Sequence, residues 1–237
     1  MVDKKYYVEN EELKKHGISI IYTKKSYGNV MKMEKEKFVL DFDFQDKVII
    51  GCHQTHSDNI AVIEDLEKTY FENTDGLISS RKDVVLYTKY GDCLPIYFYD
   101  KKKKIIGVVH SGWIGSYKEI GIKALEIFKR DYKSELEDII VILGISISEE
   151  NYEVQQDFLD KFMDKFDGEI IEKSFKIRDR KIFFDNKKFN IENFIKFGIA
   201  KENILTNEYC TFRDDFHSYR REKEKSGRNG SFISFIK

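Results

Sequence analysis

Residues 84–110 read VVLYTKYGDCLPIYFYDKKKKIIGVVH, and this stretch decides the fold class. Val84 to Thr88, Ile96 to Tyr99 and Ile105 to His110 are runs rich in β-branched and aromatic residues, with no helix-length segment between them. Strands that follow one another directly argue against the regular alternation of a doubly wound parallel sheet. Further β-rich runs lie on either side, at Ile18 to Thr23, Phe38 to Phe42, Lys47 to Gly51 and Asn59 to Ile63, then at Ile139 to Ile145, Lys181 to Phe184, Ile204 to Asn207 and Phe232 to Ile236.

Helical patterns stand out in three places. Ser116 and Glu119 have capping-box spacing, and Ile120, Ala124, Ile127 and Phe128 follow at helical intervals, which predicts a helix to about Tyr132. A second helix carries Val154, Phe158, Leu159, Phe162, Met163 and Phe166 on one face, and a third spans Ile191 to Phe197, closed by Gly198. Only one proline, Pro95, occurs, and there is no Ser/Pro linker or repeat. The expected architecture is α/β (α+β), with mixed β-sheets sandwiched by helices in a single domain over residues 1–237.

Composition narrows the function. Apolar residues make up 41% of the 237-residue chain, with 19 Phe and 14 Tyr, enough for a substantial core. The 41 basic and 42 acidic residues nearly cancel, so no global field recruits nucleic acid or an anionic membrane. The run Lys101 to Lys104 reads as a solvated hairpin tip. Three cysteines form no C-x-x-C pair, the N-terminal residues show no apolar leader segment, and no uncharged stretch is long enough to span a bilayer. A cytoplasmic location with reduced thiols is expected.

The chemistry concentrates where strand-like runs end. Of five histidines, His53 and His56 follow Val48-Ile49-Ile50 and His110 closes Ile105 to Val109, while Cys93 follows Val84 to Thr88. Strand ends are where rigid sites are built. Three ligands from separate strands, with a fourth position left to water, distinguish a catalytic zinc site from a closed structural one. Cys with His suits zinc or copper far better than magnesium or calcium. Gly91 and Gly112, close to the ligands, permit tight backbone there.

Longer motifs surround these residues: His53-Gln54-Thr55-His56-Ser57-Asp58, Thr74-Asp75-Gly76-Leu77-Ile78-Ser79, Gly91-Asp92-Cys93-Leu94-Pro95-Ile96, Val109-His110-Ser111-Gly112-Trp113, and Ser218-Tyr219-Arg220-Arg221-Glu222 with Ser226-Gly227-Arg228-Asn229. In that order they resemble the multicopper polyphenol oxidoreductase, or laccase-domain, family, also called peptidoglycan editing factor and associated with purine nucleoside phosphorylase activity. The resemblance runs from about Ile18 to the end of the chain. It implies His56, Cys93 and His110 as metal ligands and catalytic residues, with zinc as the metal and copper as the alternative. His53 and Cys52 fall outside that pattern and read as strand-end packing residues, with Ser57 and Asp58 turning the loop behind His56. The sequence departs from the family at Ile114, where an Arg is common, at Gly144-Ile145-Ser146-Ile147, which lacks a Pro, and at the loosely matching Lys24 to Gly28.

The resemblance further implies phosphorolysis of adenosine, guanosine, inosine and methylthioadenosine, with deamination of adenosine. Deamination needs a carboxylate for proton transfer, which Asp92 or Glu153 could supply. Phosphorolysis needs an anion seat beside the sugar, for which Arg220, Arg221 and Arg228 are candidates, with Tyr219 able to stack on a base. The expected partners are therefore a small nucleoside and phosphate. Three other functions fit some of the same residues: a Cys93–His110 amidohydrolase acting on a cell-wall precursor, a copper-dependent polyphenol oxidase, and a metal-stabilised nucleoside-binding protein that has lost catalysis.

Overall fold

A computed structural model describes residues 2–236. In chain order the strands are β1 (Tyr7–Glu9), β2 (Ile18–Thr23), β3 (Val48–Cys52), β4 (Ile60–Ile63), β5 (Tyr70–Phe71), β6 (Gly76–Ser79), β7 (Val84–Tyr90), β8 (Leu94–Asp100), β9 (Ile105–Ser111), β10 (Ile139–Leu143), β11 (Glu153–Val154), β12 (Phe175–Arg178), β13 (Lys181–Phe184), β14 (Ile204–Leu205) and β15 (Asn229–Phe235). The α-helices are α1 (Glu11–Lys14), α2 (Lys35–Asp41), α3 (Trp113–Tyr117), α4 (Ile120–Tyr132), α5 (Gln156–Met163), α6 (Gly168–Ser174), α7 (Asn186–Phe197) and α8 (Tyr219–Glu222).

The strands form two six-stranded sheets, β1-β2-β15-β7-β3-β5 and β14-β10-β8-β9-β6-β4, and a small sheet, β11-β13-β12. Both large sheets mix parallel and antiparallel pairs, as expected from the direct succession of β7, β8 and β9. Alternation places Leu86 and Tyr90 of the first sheet against Tyr97, Tyr99, Ile106 and Val108 of the second in a shared buried core between them. The outer face of the second sheet packs on α4 and α7 through Phe98, Phe128 and Phe194, and the outer face of the first on α2 through Tyr87, Phe232 and Phe38. The result is a layered helix–sheet–sheet–helix sandwich.

A fourth apolar cluster joins α5, α6, β12 and β13 into a cap, with Phe162 at its centre. The Phe162 ring lies 4.9 Å from Phe158 and 5.1 Å from both Phe184 and Phe189, and 5.4 Å from Tyr117.

Several local expectations change. Phe38 to Phe42 lies in and just after α2, because Phe38 and Phe42 are buried four residues apart while Leu40 is 63% exposed, a helical and not a strand spacing. Ser116 does not cap the long helix. It lies inside α3 and donates to Asn186, and α4 starts after Glu119, which turns the chain in the left-handed region with φ 58°. Val154 belongs to β11, Phe166 lies beyond α5, and Met163 is exposed, so only part of the second predicted stripe is a helix face. The third helix starts earlier, at Asn186 capped by Asp185, and ends at Gly198 with φ 114° as expected. Strands β1, β5, β6 and β12 carried no clear signal in sequence; β6 is buried at all four residues and so lacks alternation. Lys101 to Lys104 form the exposed β8–β9 turn, and no helix among the described residues is long and apolar enough to cross a membrane.

Replacing Phe162 with Ala should lower stability by about 3–5 kcal/mol, since it leaves a cavity among rings that cannot all collapse into it. Urea unfolding followed by circular dichroism measures this.

Candidate active site

Three chain segments meet at one edge of the sandwich. The loop leaving β3 carries His56, the turn by which the chain crosses from β7 in one sheet to β8 in the other carries Cys93, and the end of β9 carries His110. Their ligand atoms all lie within 4.8 Å of one another, and Cys93 Sγ is 3.7 Å from His56 Nε2. The His56 and His110 ring centroids are 5.0 Å apart.

Asp75, at the start of β6 and wholly buried, fixes two of the three. Its carboxylate accepts from the amides of Thr55, His56 and Ser57, from Ser57 Oγ, and from His110 Nδ1 at 2.9 Å. His56 itself sits in the left-handed region, φ 58°, a conformation of this non-glycine residue that the Asp75 bonds hold in place. An ionised Asp75 can only accept, so Nδ1 of His110 carries a proton, and in the neutral ring that a metal would require Nε2 is the lone-pair donor. Burial pushes the Asp75 carboxyl up, but hydrogen bonds from His110 and Ser57, the His110 charge and the Thr55 amide hold it at about 2.

Burial alone would keep the Cys93 thiol protonated. The His110 charge and hydrogen bonds from His110 and His56 outweigh it and bring the thiol down to about 6. Burial likewise opposes charge on His110, yet Cys93 and Asp75 raise it to about 9. The apo site therefore favours a thiolate beside an imidazolium.

Two imidazoles and a thiolate suit a borderline-soft cation, and tetrahedral zinc bonds put N and S donors roughly 3.5 Å apart, close to the 3.7 Å observed. The carboxylate on the far nitrogen of His110 is the outer partner that orients metal-bound histidines. Space is reserved as well: a Cβ on Gly112 would stand 2.8 Å from Cys93 Sγ and 3.0 Å from His56 Cδ2. The residues fit a metal ion on all three counts.

The trio opens into a cavity of about 550 Å³. Its wall includes Asp92, Tyr219, Arg220 and Arg228 among the residues singled out in sequence. Both Asp92 oxygens are engaged, one by Thr211 Oγ1 and one by the Arg220 amide, each at 2.6 Å. The Arg220 guanidinium lies 5.1 Å from the Tyr152 ring and donates to the Glu153 carbonyl. Tyr219 is 45% exposed and donates to Glu224. Arg221 is absent from the wall: its guanidinium donates to the carbonyls of Thr211, Phe212 and Phe216 and clamps that loop. Glu153 lies outside this cavity, on Lys181, and Ile114 does not line it.

Cys52 is buried as expected, but His53 is an exposed cavity residue bonded to Glu72, not a packing residue. Ser57 turns back onto Asp75, and Asp58 pairs with Lys118 and Lys123. Sequence reading assigned no role to Asp75, Gln54, Lys89, Tyr152 and Asn186. Asp75 and Gln54 stood inside quoted motifs; the others carried no signal beyond residue type.

Residues 26–236 match a family model described as multi-copper polyphenol oxidoreductase laccase. A protein named purine nucleoside phosphorylase from Borreliella burgdorferi is 39% identical over 209 residues, covering 87% of this chain and 88% of that one. Another, purine nucleoside phosphorylase YlmD from Bacillus subtilis, is 30% identical and is matched over 78% of this chain and 69% of its own. The crystal structure of hypothetical protein YfiH from Bacillus licheniformis superposes with a TM-score of 0.87 at 25% identity, covering 100% of this chain and 98% of that chain. The chain belongs to the multi-copper polyphenol oxidoreductase laccase family.

In metal-free protein, alkylation of Cys93 should titrate with a midpoint of about 6, well below the ordinary thiol value, and His110→Ala should move the midpoint upward. Asp75→Asn should weaken metal binding roughly 10–100-fold, read by competition with a chromophoric chelator.

Proposed function

We propose that this chain is a zinc-dependent purine nucleoside phosphorylase whose metal ligands are His56, Cys93 and His110. The observation that carries the reading is the convergence of these side chains, with Asp75 behind them, on the floor of a cavity of about 550 Å³, within the range of small-ligand sites. The names of the Borreliella burgdorferi and Bacillus subtilis relatives supply the substrate class. Adenosine, inosine, guanosine and methylthioadenosine are the proposed nucleosides, drawn with phosphate from a cytoplasmic pool.

When bound, the metal supplies a Lewis acid that stabilises negative charge on a coordinated oxygen or nitrogen. The chain's own residues do the rest. Phosphorolysis joins a phosphate oxygen to C1′ while the bond from C1′ to the purine breaks, its electron pair leaving with the base, which takes up a proton. Cationic side chains of the wall seat the phosphate. Trp113 and the exposed face of Tyr219 offer aromatic surface to the purine. The tethers on Arg220 and Asp92 hold the wall in one arrangement, so little ordering remains to be done when substrate enters.

Deamination is the proposed side activity. Neither sequence candidate for its proton carrier is poised, since Asp92 has both oxygens engaged and Glu153 faces Lys181. Zinc is preferred over copper because no second cluster of three ligand-type side chains exists among the described residues, whereas multi-copper oxidation needs several linked centres.

One alternative has an observation of its own. Cys93, His110 and Asp75 stand in the order nucleophile, base and orienting acid, which suits a cysteine amidohydrolase acting on a cell-wall precursor. The two readings part on metal. Purified wild type should hold about one zinc per chain and release adenine from adenosine only with phosphate present. Cys93→Ser should lose the metal, and lose turnover by more than the roughly 10–100-fold that an outer partner costs. Metal-free protein without phosphorolysis, yet with an amidase activity blocked by iodoacetamide, would transfer the assignment to the hydrolase.

A further inference from the structure

The chain as a whole is nearly neutral, with net charge -1, but the cavity wall is not. Lys89, Arg220 and Arg228 line it, and Asp92, its one carboxylate, is fully occupied. Of the three cations, Arg220 gives Nη1 to the Glu153 carbonyl and lies 5.1 Å from the Tyr152 ring. Lys89 is different. It is half-buried, yet its Nζ donates no hydrogen bond to any described residue and pairs with no carboxylate; the ammonium stands 6.0 Å from the centre of the Tyr70 ring. Other half-buried lysines are satisfied, Lys35 by the Ile49 and Thr69 carbonyls, Lys47 by that of Lys82, and Lys187 by Asn207 and Tyr209, whereas Lys24, which does not line this cavity, shares the unpaired state.

A partly desolvated, unpaired ammonium costs free energy, and burial holds Lys89 below its ordinary value. Its backbone is nevertheless fixed with care. The Gln54 carboxamide donates to the Lys89 carbonyl at 2.7 Å and accepts from the Lys89 amide at 2.8 Å, in place of a neighbouring strand. Gln54 belongs to the same loop as His56, so the lysine is indexed to the proposed metal ligands.

The register brings a second cation to the same side. Lys89 pairs with Gly230 and Tyr90 with Asn229, so the next step along β7 and β15 brings Gly91 beside Arg228. Opposed residues share a face, which puts Lys89 and Arg228 on one face with a glycine opposite each. A Cβ on Gly91 would come 3.5 Å from the Tyr219 amide nitrogen and 3.8 Å from Arg228 Nη1, so Tyr219 and the guanidinium both border the glycine. Nη1 of Arg228 also donates to the carbonyls of Ser226 and Gly227, and the guanidinium lies 5.9 Å from the Tyr219 ring, while Nε and Nη2 donate to no described residue.

We propose that Lys89 and Arg228 form a subsite for a phosphate dianion beside the His56, Cys93 and His110 centre. The proposal deepens the phosphorylase reading and rests on it for the identity of the anion. The dianion is either inorganic phosphate or the 5′-phosphate of a nucleotide.

The test compares wild type, Lys89→Met and Lys89→Arg, all checked for an unchanged melting temperature. Steady-state phosphorolysis of adenosine is measured against phosphate concentration, and binding of inorganic phosphate and of adenosine 5′-monophosphate is measured directly by calorimetry. Lys89→Met should raise the KM for phosphate about 10-fold or more, leave the KM for adenosine within about 2-fold, and be rescued in large part by Lys89→Arg. Weaker binding of the nucleotide alone, with an unchanged KM for phosphate, would assign the subsite to a 5′-phosphate. Loss of phosphate binding in Lys89→Met when wild type shows no turnover would uphold the subsite and remove the phosphorylase reading. Unaltered KM and unaltered binding of both anions would overturn the subsite, whatever becomes of the reaction.

Discussion

Asp75 keeps a full negative charge where no solvent reaches it, and the five donors around its carboxylate make that arrangement tolerable. Those donors come from two different segments. Three amides and a hydroxyl belong to the loop that carries His56, and the imidazole belongs to the end of β9. The Asp75 backbone is bonded to the same surroundings, its amide to Asn59 and its carbonyl to the His110 amide. One residue thus sets the left-handed turn at His56, the proton position on His110 and the spacing between the two. Removing its charge would leave the whole set of donors short of an acceptor, which is why it is the group on which the site's geometry depends.

The rest of the fold supplies rigidity around that point. The trio lies where the chain passes from one large sheet to the other: His110 sits on the buried strand β9, Cys93 in the short turn between β7 and β8, and His56 in the loop after β3 that Asp75 pins. Behind β9, Ser111, Ser116, Asn186 and Asn190 form a buried polar network that ties α3 and α7 to the strand end bearing His110. Its hydroxyls and amides satisfy one another, and such networks specify one arrangement instead of several. That is also the physical reason Ser116 is not a helix cap: its hydroxyl is needed inside.

What could be read in sequence follows from what kind of information each feature needs. Strands β7, β8 and β9 were legible because β-branched and aromatic residues cluster in them, and the candidate ligands stood out because Cys and His are scarce in this chain. Phe38 to Phe42 misled because a short apolar run has too few residues to separate a period of two from one of four. Arg220, Arg221 and Arg228 looked alike as charges. Only the fold shows that Arg221 faces the 211–216 loop and that Arg220 is tethered, and only the pairing of β7 with β15 brings Lys89 near Arg228 from a position 139 residues away in sequence. Asp75 stands in a motif, but its role is not legible there for the same reason: a carboxylate becomes special through the donors placed around it, and those are contributed from both directions along the chain.

The cavity is built from two bodies with separate cores, and that separation divides its functions. The metal-competent floor belongs to the sandwich and is fixed by Asp75 and the sheets. The outer wall at Trp113, Tyr152 and Arg220 leans on the aromatic cap: the Trp113 ring packs 5.3 Å from Phe158, and Tyr152 lies 5.7 Å from Phe184. Close-packed interiors transmit strain, so a change of ring size in this cluster is felt at that wall. The geometry of the trio is therefore set by the donors around Asp75, whereas the shape of the outer wall is set by the packing around Phe158 and Phe162.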